Sequence, residues 1–354
     1  MASTVVRTET PQVSPVQAPD PVQQLMQFGT GYMPAAALYP VVKLGIPDIL
    51  ANGSSTVASL AAKTKTSEDF LYRIMRALSS FGIFAEPEPR TFALTDVSEK
   101  LCRNTPGSMR DMVLWMTNPF HFQVWSDMEY AVRTGQNATE HIFGKPCFEV
   151  FAPGSEVATE FNNAMTNLSA MTIPRVLDAY SFSGIRTLVD VGCGHGRLLC
   201  EILSRYPQMK GIFFDVESVV SGCKDNIDKC SVHDRVRVMH GNFFESIPRG
   251  GDAYIMQHII HDWDDAKALT ILTNTRKALE GVVDGKLIIL DAVVTPGSGP
   301  DFKKMLDLEM MLMPGGRERT EAEFRELLNR AGFKLNRIVP TQSMVAVIEA
   351  VVVT

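Results

Sequence analysis

Long apolar runs are missing from this sequence, and none approaches the roughly 20 residues of a membrane helix. The amino-terminal stretch MASTVVRTETPQVSPVQAPDP lacks both the apolar centre and the cleavage signature of a secretory signal. Residues 1–20 therefore read as a disordered tail. Cysteine is sparse and scattered. Cys102, Cys147, Cys193, Cys200, Cys223 and Cys230 form no CxxC pair, which excludes zinc-ribbon and dithiol readings and, without a secretory signal, points to reduced thiols in a cytoplasmic protein. Positive charge is not in excess either. The net charge is −6, and residues 55–105 carry seven Lys/Arg against six Asp/Glu, where a DNA reader needs a clear basic surplus. Neither a nucleic-acid nor a membrane partner is expected.

What remains is an ordinary globular composition, 45% hydrophobic and 21% charged, in a chain of 354 residues that has room for two cores. Its rhythm changes near residue 180. Before that point the patterns are helical. Apolar residues between Gln23 and Leu50 are interrupted by glycines and prolines, as in helices broken by turns. Residues 55–64 read as a short helix. Ser67 stands as an N-cap before a helix whose apolar positions are Phe70, Leu71, Ile74, Leu78 and Phe81. Residues 86–96 read as a hairpin, completing a winged-helix pattern. After residue 184, strand-like segments (186–191, 210–216, 235–244, 252–260, 286–294, 343–353) alternate with helical ones (196–207, 266–279, 321–333). That alternation predicts an α/β fold with a doubly wound, mostly parallel sheet. The expected divisions are 21–110, a helical stretch 111–180, and 181–354.

The strand TLVDV runs into Gly192-Cys193-Gly194-His195-Gly196, which opens a helix. Glycines there let the backbone turn tightly and approach a ligand at the carboxyl end of a strand. The spacing is GxGxG and not the dinucleotide GxGxxG, and no lysine cradle for phosphates accompanies it. Asp190 precedes the turn and Asp215 ends the next strand, where a ribose diol would find an acceptor. S-adenosylmethionine suits such a site, because it has no phosphate and its cationic groups favour carboxylates. Asp190 could equally serve the amides of the turn. Cys193 and His195 read as loop packing.

The segments LVDVGCGHGRLL, GIFFDV, HIIHDWDD and GGRERTEAEFRELLNRAGF, in this order, resemble the caffeate and acetylserotonin type of class I O-methyltransferases. The similarity extends over FNNAMTNLSAM and most of residues 20–354. It implies a Rossmann-like domain binding S-adenosyl-L-methionine, an amino-terminal winged-helix domain that forms a homodimer, and a small aromatic substrate. It makes His261 the general base, flanked by Asp291 and Glu318. It places cofactor contacts on Gly192, Asp215, Asn242, Phe243 and Gln257, to which the loop itself adds Asp190 and Gly194, and substrate contacts on Phe161, Met165 and Met313, with Asp262, the residue after the base, expected beside them. Three positions depart from the usual pattern. Asn242 replaces Asp, so its amide oxygen can still accept a hydrogen bond but the charge is gone. Gln257 replaces Lys. Asp291 replaces Glu and is one methylene shorter, which puts its reach to His261 in question. These departures leave room for a repurposed member that holds the cofactor without transferring the methyl, and N-methylation also stays open.

Proton affinity favours one acceptor class. A phenol near pKa ~10 facing an imidazole near ~6.5 is mismatched by about 3.5 units, roughly 5 kcal/mol. An alcohol near ~15.7 is mismatched by about 9 units, roughly 12 kcal/mol. A carboxylate on the second imidazole nitrogen can close the first gap and not the second. His258 is read as a core residue alternating with Tyr254 and Met256. Asp264 and Asp265 are read as capping or solvated. The His261–Asp262 pair with a separate His258 forms no defined ligand set, and the expectation is a reaction without a metal. The methionines around 305–313 and 165–171 suit either core gaps or a flat aromatic pocket.

Overall fold

The computed structural model describes residues 20–151 and 154–353, so the tail expected at residues 1–20 lies, apart from Asp20, outside the described residues. The chain divides into two compact units at Thr95/Asp96.

The first unit contains helices α1 (Pro21–Thr30), α2 (Tyr32–Lys43), α3 (Ile46–Leu50), α4 (Val57–Thr64) and α5 (Glu68–Ser80). It also contains a small antiparallel sheet, ordered β1 (Ser55–Thr56), β3 (Thr91–Leu94), β2 (Phe84–Glu88). Thr56 caps α4 by accepting from the Ser59 amide at 3.3 Å. Ser67 occupies the N-cap position of α5, but its side chain makes no capping bond. The buried stripe of α5 is Leu71, Met75 and Leu78, at i, i+4 and i+7. Phe70 and Phe81, expected on that face, fall off the stripe and are exposed.

The second unit opens with short helices between residues 96 and 150, followed by α6 (Glu156–Ala179), whose N-cap Ser155 accepts from Ala158 N. Its strands are β4 (Thr187–Val191), β5 (Lys210–Asp215), β6 (Val236–His240), β7 (Ala253–Gln257), β8 (Lys286–Asp291), β9 (Phe333–Pro340) and β10 (Ala346–Val352). They form one sheet in the order β6-β5-β4-β7-β8-β10-β9. The first five are parallel; β10 and β9 are antiparallel additions. The connecting helices include α7 (Arg197–Arg205), α8 (Asp265–Ala278), α9 (Lys303–Leu312) and α10 (Glu321–Arg330). Strand side chains alternate between two cores. Leu188, Phe213 and Ile255 pack on one face with α7, and Val189, Ile212, Tyr254 and Met256 on the other with α8 and α10. Strand β9 carries no clear strand signal in the sequence, because FKLNRIVP buries only Phe333 and Leu335 and ends in proline. Among the described residues, no helix is long and apolar enough to cross a membrane.

Candidate active site

Strand order reverses between β4 and β7, and in open α/β sheets the crevice at such a switch point receives ligands. The turn after β4 and the turn after β7 meet there. Gly192 has φ +71°, a conformation that favours glycine, and a Cβ on it would lie 2.4 Å from Ile259 Cδ1, so the turn after β4 packs on the Ile259 side chain of the turn after β7. Gly194, at φ +54°, has open space where a Cβ would be, and its amide donates to Asp215 Oδ2 at 2.9 Å. Asp215 Oδ1 accepts from Val216 N at 2.7 Å, so Asp215 ties the glycine turn, through Gly194, to the end of β5. Asp190 is 2% exposed, with Oδ2 unpartnered. Burial, then the charge of Asp215, pushes its carboxyl up to about 8, against a backbone hydrogen bond from Leu199. Cys193 does pack within the loop, its Sγ 3.8 Å from that of Cys223. His195 is exposed on the turn.

Asn242 follows β6, where Oδ1 accepts from Phe244 N at 3.0 Å and Nδ2 donates to Glu245. Phe243 packs edge-on against Phe244 and Trp263 and approaches Gly192. Gln257 ends β7 with a buried Nε2 that has no partner.

The next residue corrects the sequence reading. His258 has φ +54°, which ends the extended strand and its alternation. Its ring is buried at Nε2 and lies 5.1 Å from that of His261. Burial, then the charge of His261, pushes the His258 imidazole down to about 3. His261 sits in a short 3-10 turn, Ile260–Asp262, and is 7% exposed. Its Nδ1 lies 2.6 Å from Glu318 Oε1, and its Nε2 3.5 Å from Asp262 Oδ1. Asp291, at the end of β8, is fully buried with both oxygens unpartnered. One ligand atom each from His258, His261 and Asp291 lie within 4.8 Å of one another. The shorter side chain thus brings its carboxylate beside the two rings without a direct hydrogen bond. This also gives the two histidines and Asp291 the common focus that was not expected of them.

Three carboxylates around one ring dominate the electrostatics. Burial disfavours the imidazolium, but the charges of Glu318, Asp262 and Asp291, with the Glu318 hydrogen bond, overcome it and push His261 up to about 10. Burial, together with the neighbouring carboxylates, raises Asp262 to about 7 and Asp291 to about 6, in both cases against His261.

Several supporting residues escaped the sequence reading. A Cβ on Gly316 would lie 2.1 Å from the His261 carbonyl, so the segment before Glu318 packs directly on the histidine turn. Arg317 N donates to that carbonyl at 2.8 Å. Asp307 on α9 accepts from Glu318 N at 2.8 Å. Arg319 is 1% exposed and donates to the carbonyls of Ile260 and Trp263 and to Asp265. Asp265 is therefore an ion-pair partner, whereas Asp264 caps α8 as expected, accepting from Lys267 N. GGRER carried the resemblance, but nothing in the string marked which of its residues hold the turn.

Phe161, Met165 and Met313 gather in one aromatic cluster with Trp115, Phe120 and Phe151. Phe161 stacks on Phe151 at 4.8 Å and meets Trp115 edge-on at 5.2 Å. Met311 packs here too, whereas Met305 is exposed. Inside the cluster, Glu309 is bonded by His121 Nε2 at 2.7 Å and Trp125 Nε1 at 2.6 Å, a buried polar anchor that no motif announced. The Cys147 thiol of this cluster is pushed up by burial and by the charges of both Asp262 and Glu309, which connects the cluster to the histidine turn. Open clefts beside Glu321 and Arg325, and at Arg186 and Lys210, share no residue with this site.

The sequence profile of the O-methyltransferase domain matches residues 125–334, and that of the O-methyltransferase dimerisation domain matches residues 26–104. The chain is 37% identical over 326 residues to the phenazine O-methyltransferase of Lysobacter antibioticus, covering 92% of this chain and 95% of that one. It is 32% identical over 329 residues to the 8-amino-8-demethylriboflavin N,N-dimethyltransferase of Streptomyces davaonensis, covering 92% and 94%. The crystal structure of human N-acetylserotonin methyltransferase in complex with S-adenosylmethionine superposes with a TM-score of 0.84 at 25% identity, covering 96% of this chain and 99% of that one. A glycine turn packed against the segment that leads to a carboxylate-bound histidine, on a chain matched by both profiles, makes this protein a member of the O-methyltransferase family.

Proposed function

We propose that this chain methylates a phenolic oxygen of a small aromatic molecule, with His261 as general base. The family chemistry is methyl transfer from S-adenosylmethionine, which when bound supplies a sulfonium-activated methyl to a nucleophile. The residues present fit that cofactor. Asp190 Oδ2 and Gln257 Nε2 are an unpartnered acceptor and donor at the crevice, and Gly192 keeps the turn free of side chain. Asp190, Gly192, Gly194, Asp215, Asn242, Phe243 and Gln257 are the residues proposed to hold it. Asp215 and Asn242 already bond backbone amides, and their oxygens keep further lone pairs for a ligand.

The observation that carries the reading is the 2.6 Å contact between His261 Nδ1 and Glu318. With its Nδ1–H donated in a hydrogen bond to Glu318, the neutral ring keeps that proton and presents its Nε2 lone pair to the acceptor's proton. Against the penalty of burial, the surrounding carboxylates lift the imidazole toward the range of a phenol, which narrows the proton-affinity gap of an ordinary histidine once the ring is neutral. An alcohol stays out of range. Asp291 supports the resulting imidazolium by charge. Phe161, Met165 and Met313 supply an apolar wall, and Asp262 lies 3.5 Å from the base while its charge reaches Cys147 of the same cluster.

The 8-amino-8-demethylriboflavin relative supports a second reading, an aromatic amine as acceptor. Incubation with methyl-labelled cofactor and matched phenols, anilines and benzyl alcohols separates the readings. Label in phenols is the expected result. Label confined to anilines would replace the oxygen acceptor by nitrogen. Cofactor binding with no labelled product from any class would favour the non-methylating alternative raised by Asn242, Gln257 and Asp291. Homodimerisation through the amino-terminal unit completes the proposal.

A further inference from the structure

We infer that His258, His261 and Asp291 form a binding site for a borderline divalent cation such as zinc, whose occupation silences the base. Methyl transfer itself uses no metal in this account; the cation competes with it. The three side chains come from the turn after β7 and the end of β8, and one ligand atom from each lies within 4.8 Å of the others. Zinc held at about 2.0–2.2 Å by two imidazoles and a carboxylate needs ligand atoms about 3.3 Å apart, within reach of small side-chain rotations.

Two further observations point to a ligand at this focus. Asp291 is 0% exposed and has neither oxygen hydrogen-bonded, and His258 Nε2 is buried and also unpartnered. Buried polar atoms in this state are costly unless something completes them. Moreover, Glu318 holds His261 by Nδ1, the outer carboxylate–imidazole contact that orients metal-bound histidines. The Nε2 lone pair that would accept a substrate proton is therefore aimed for a cation as well. Asp262 Oδ1, 3.5 Å from that nitrogen, is available as a fourth ligand. Three carboxylates and two imidazoles give the pocket a surplus of negative charge that a divalent ion offsets. Imidazole with carboxylate selects zinc, cobalt or nickel over magnesium.

His258→Asn tests this directly, since asparagine tolerates the left-handed backbone that His258 adopts. The full-length protein is stripped with chelator and titrated with zinc, following methyl transfer, and separately with cobalt(II), following visible absorption. The wild type should be inhibited by zinc and not by magnesium, and should bind one cobalt per chain with the intense bands of a low-coordinate nitrogen–oxygen site. His258→Asn should need at least about tenfold more zinc or cobalt, and Asp291→Asn should weaken cobalt binding similarly. Cobalt binding requires no turnover, so it decides the matter even where a variant is inactive, and it is independent of the methyl-acceptor assignment. Equal cobalt affinity in wild type and both variants, or a thiolate charge-transfer band placing the metal on cysteines, would overturn the site.

Discussion

His261 owes its proposed chemistry to its neighbours more than to itself. Glu318 fixes one nitrogen at 2.6 Å, while Asp262 and Asp291 add charge without a short hydrogen bond. The sign of the pH dependence follows. A nearby carboxylate raises the imidazole affinity for its proton, and the neutral base is populated only as pH rises through that value. Glu318→Gln removes the foremost raising charge, so the rising limb of kcat should move to lower pH. At the same time kcat should fall by about 10²–10⁴, because the ring loses its orientation. A pH profile of the variant checks this. A drop in rate with an unmoved limb would reduce Glu318 to a packing residue. At this scale the sequence was informative where a motif supplied the residue: His261, Asp291 and Glu318 were named in advance and stand together. It reads His258 as one more residue of the buried strand, because no pattern distinguishes a strand histidine from one that breaks the strand at positive φ.

The elements matter through two close approaches. Gly192 seats the turn after β4 against Ile259 in the turn after β7, and Gly316 seats the Glu318 segment against the backbone of His261. Gly192→Ala would clash at 2.4 Å and strain a φ of +71°, at a cost of about 1–3 kcal/mol. Thermal melting should report that loss, and calorimetric titration should show weakened cofactor binding. An unchanged melting point with unchanged affinity would mean that the two turns do not need each other. Parallel strands and their helices were legible because apolar runs and glycine punctuation mark them. Strand β9 was not, since its half-exposed edge carries polar residues and a terminal proline. Arg319 went unmarked for another reason. Its role depends on carbonyls more than 50 residues away in sequence, which no local pattern encodes.

At the level of the whole molecule, the amino-terminal unit leaves Val22, Leu25, Phe28 and Tyr32 exposed along α1 and the start of α2. Such a row of large apolar side chains calls for a covering surface. The dimerisation profile over residues 26–104 supports a second copy of the chain. Light scattering should therefore return about twice the 39.1 kDa chain mass, and a monomeric mass would refute the dimer. The central claim, that an imidazole held by Glu318 takes the proton of the methyl acceptor, is tested most directly by one kinetic comparison. His261→Ala, matched to wild type in cofactor affinity, should lose about 10²–10⁴ in kcat toward a phenolic acceptor. Retention of wild-type kcat by that variant would contradict the account.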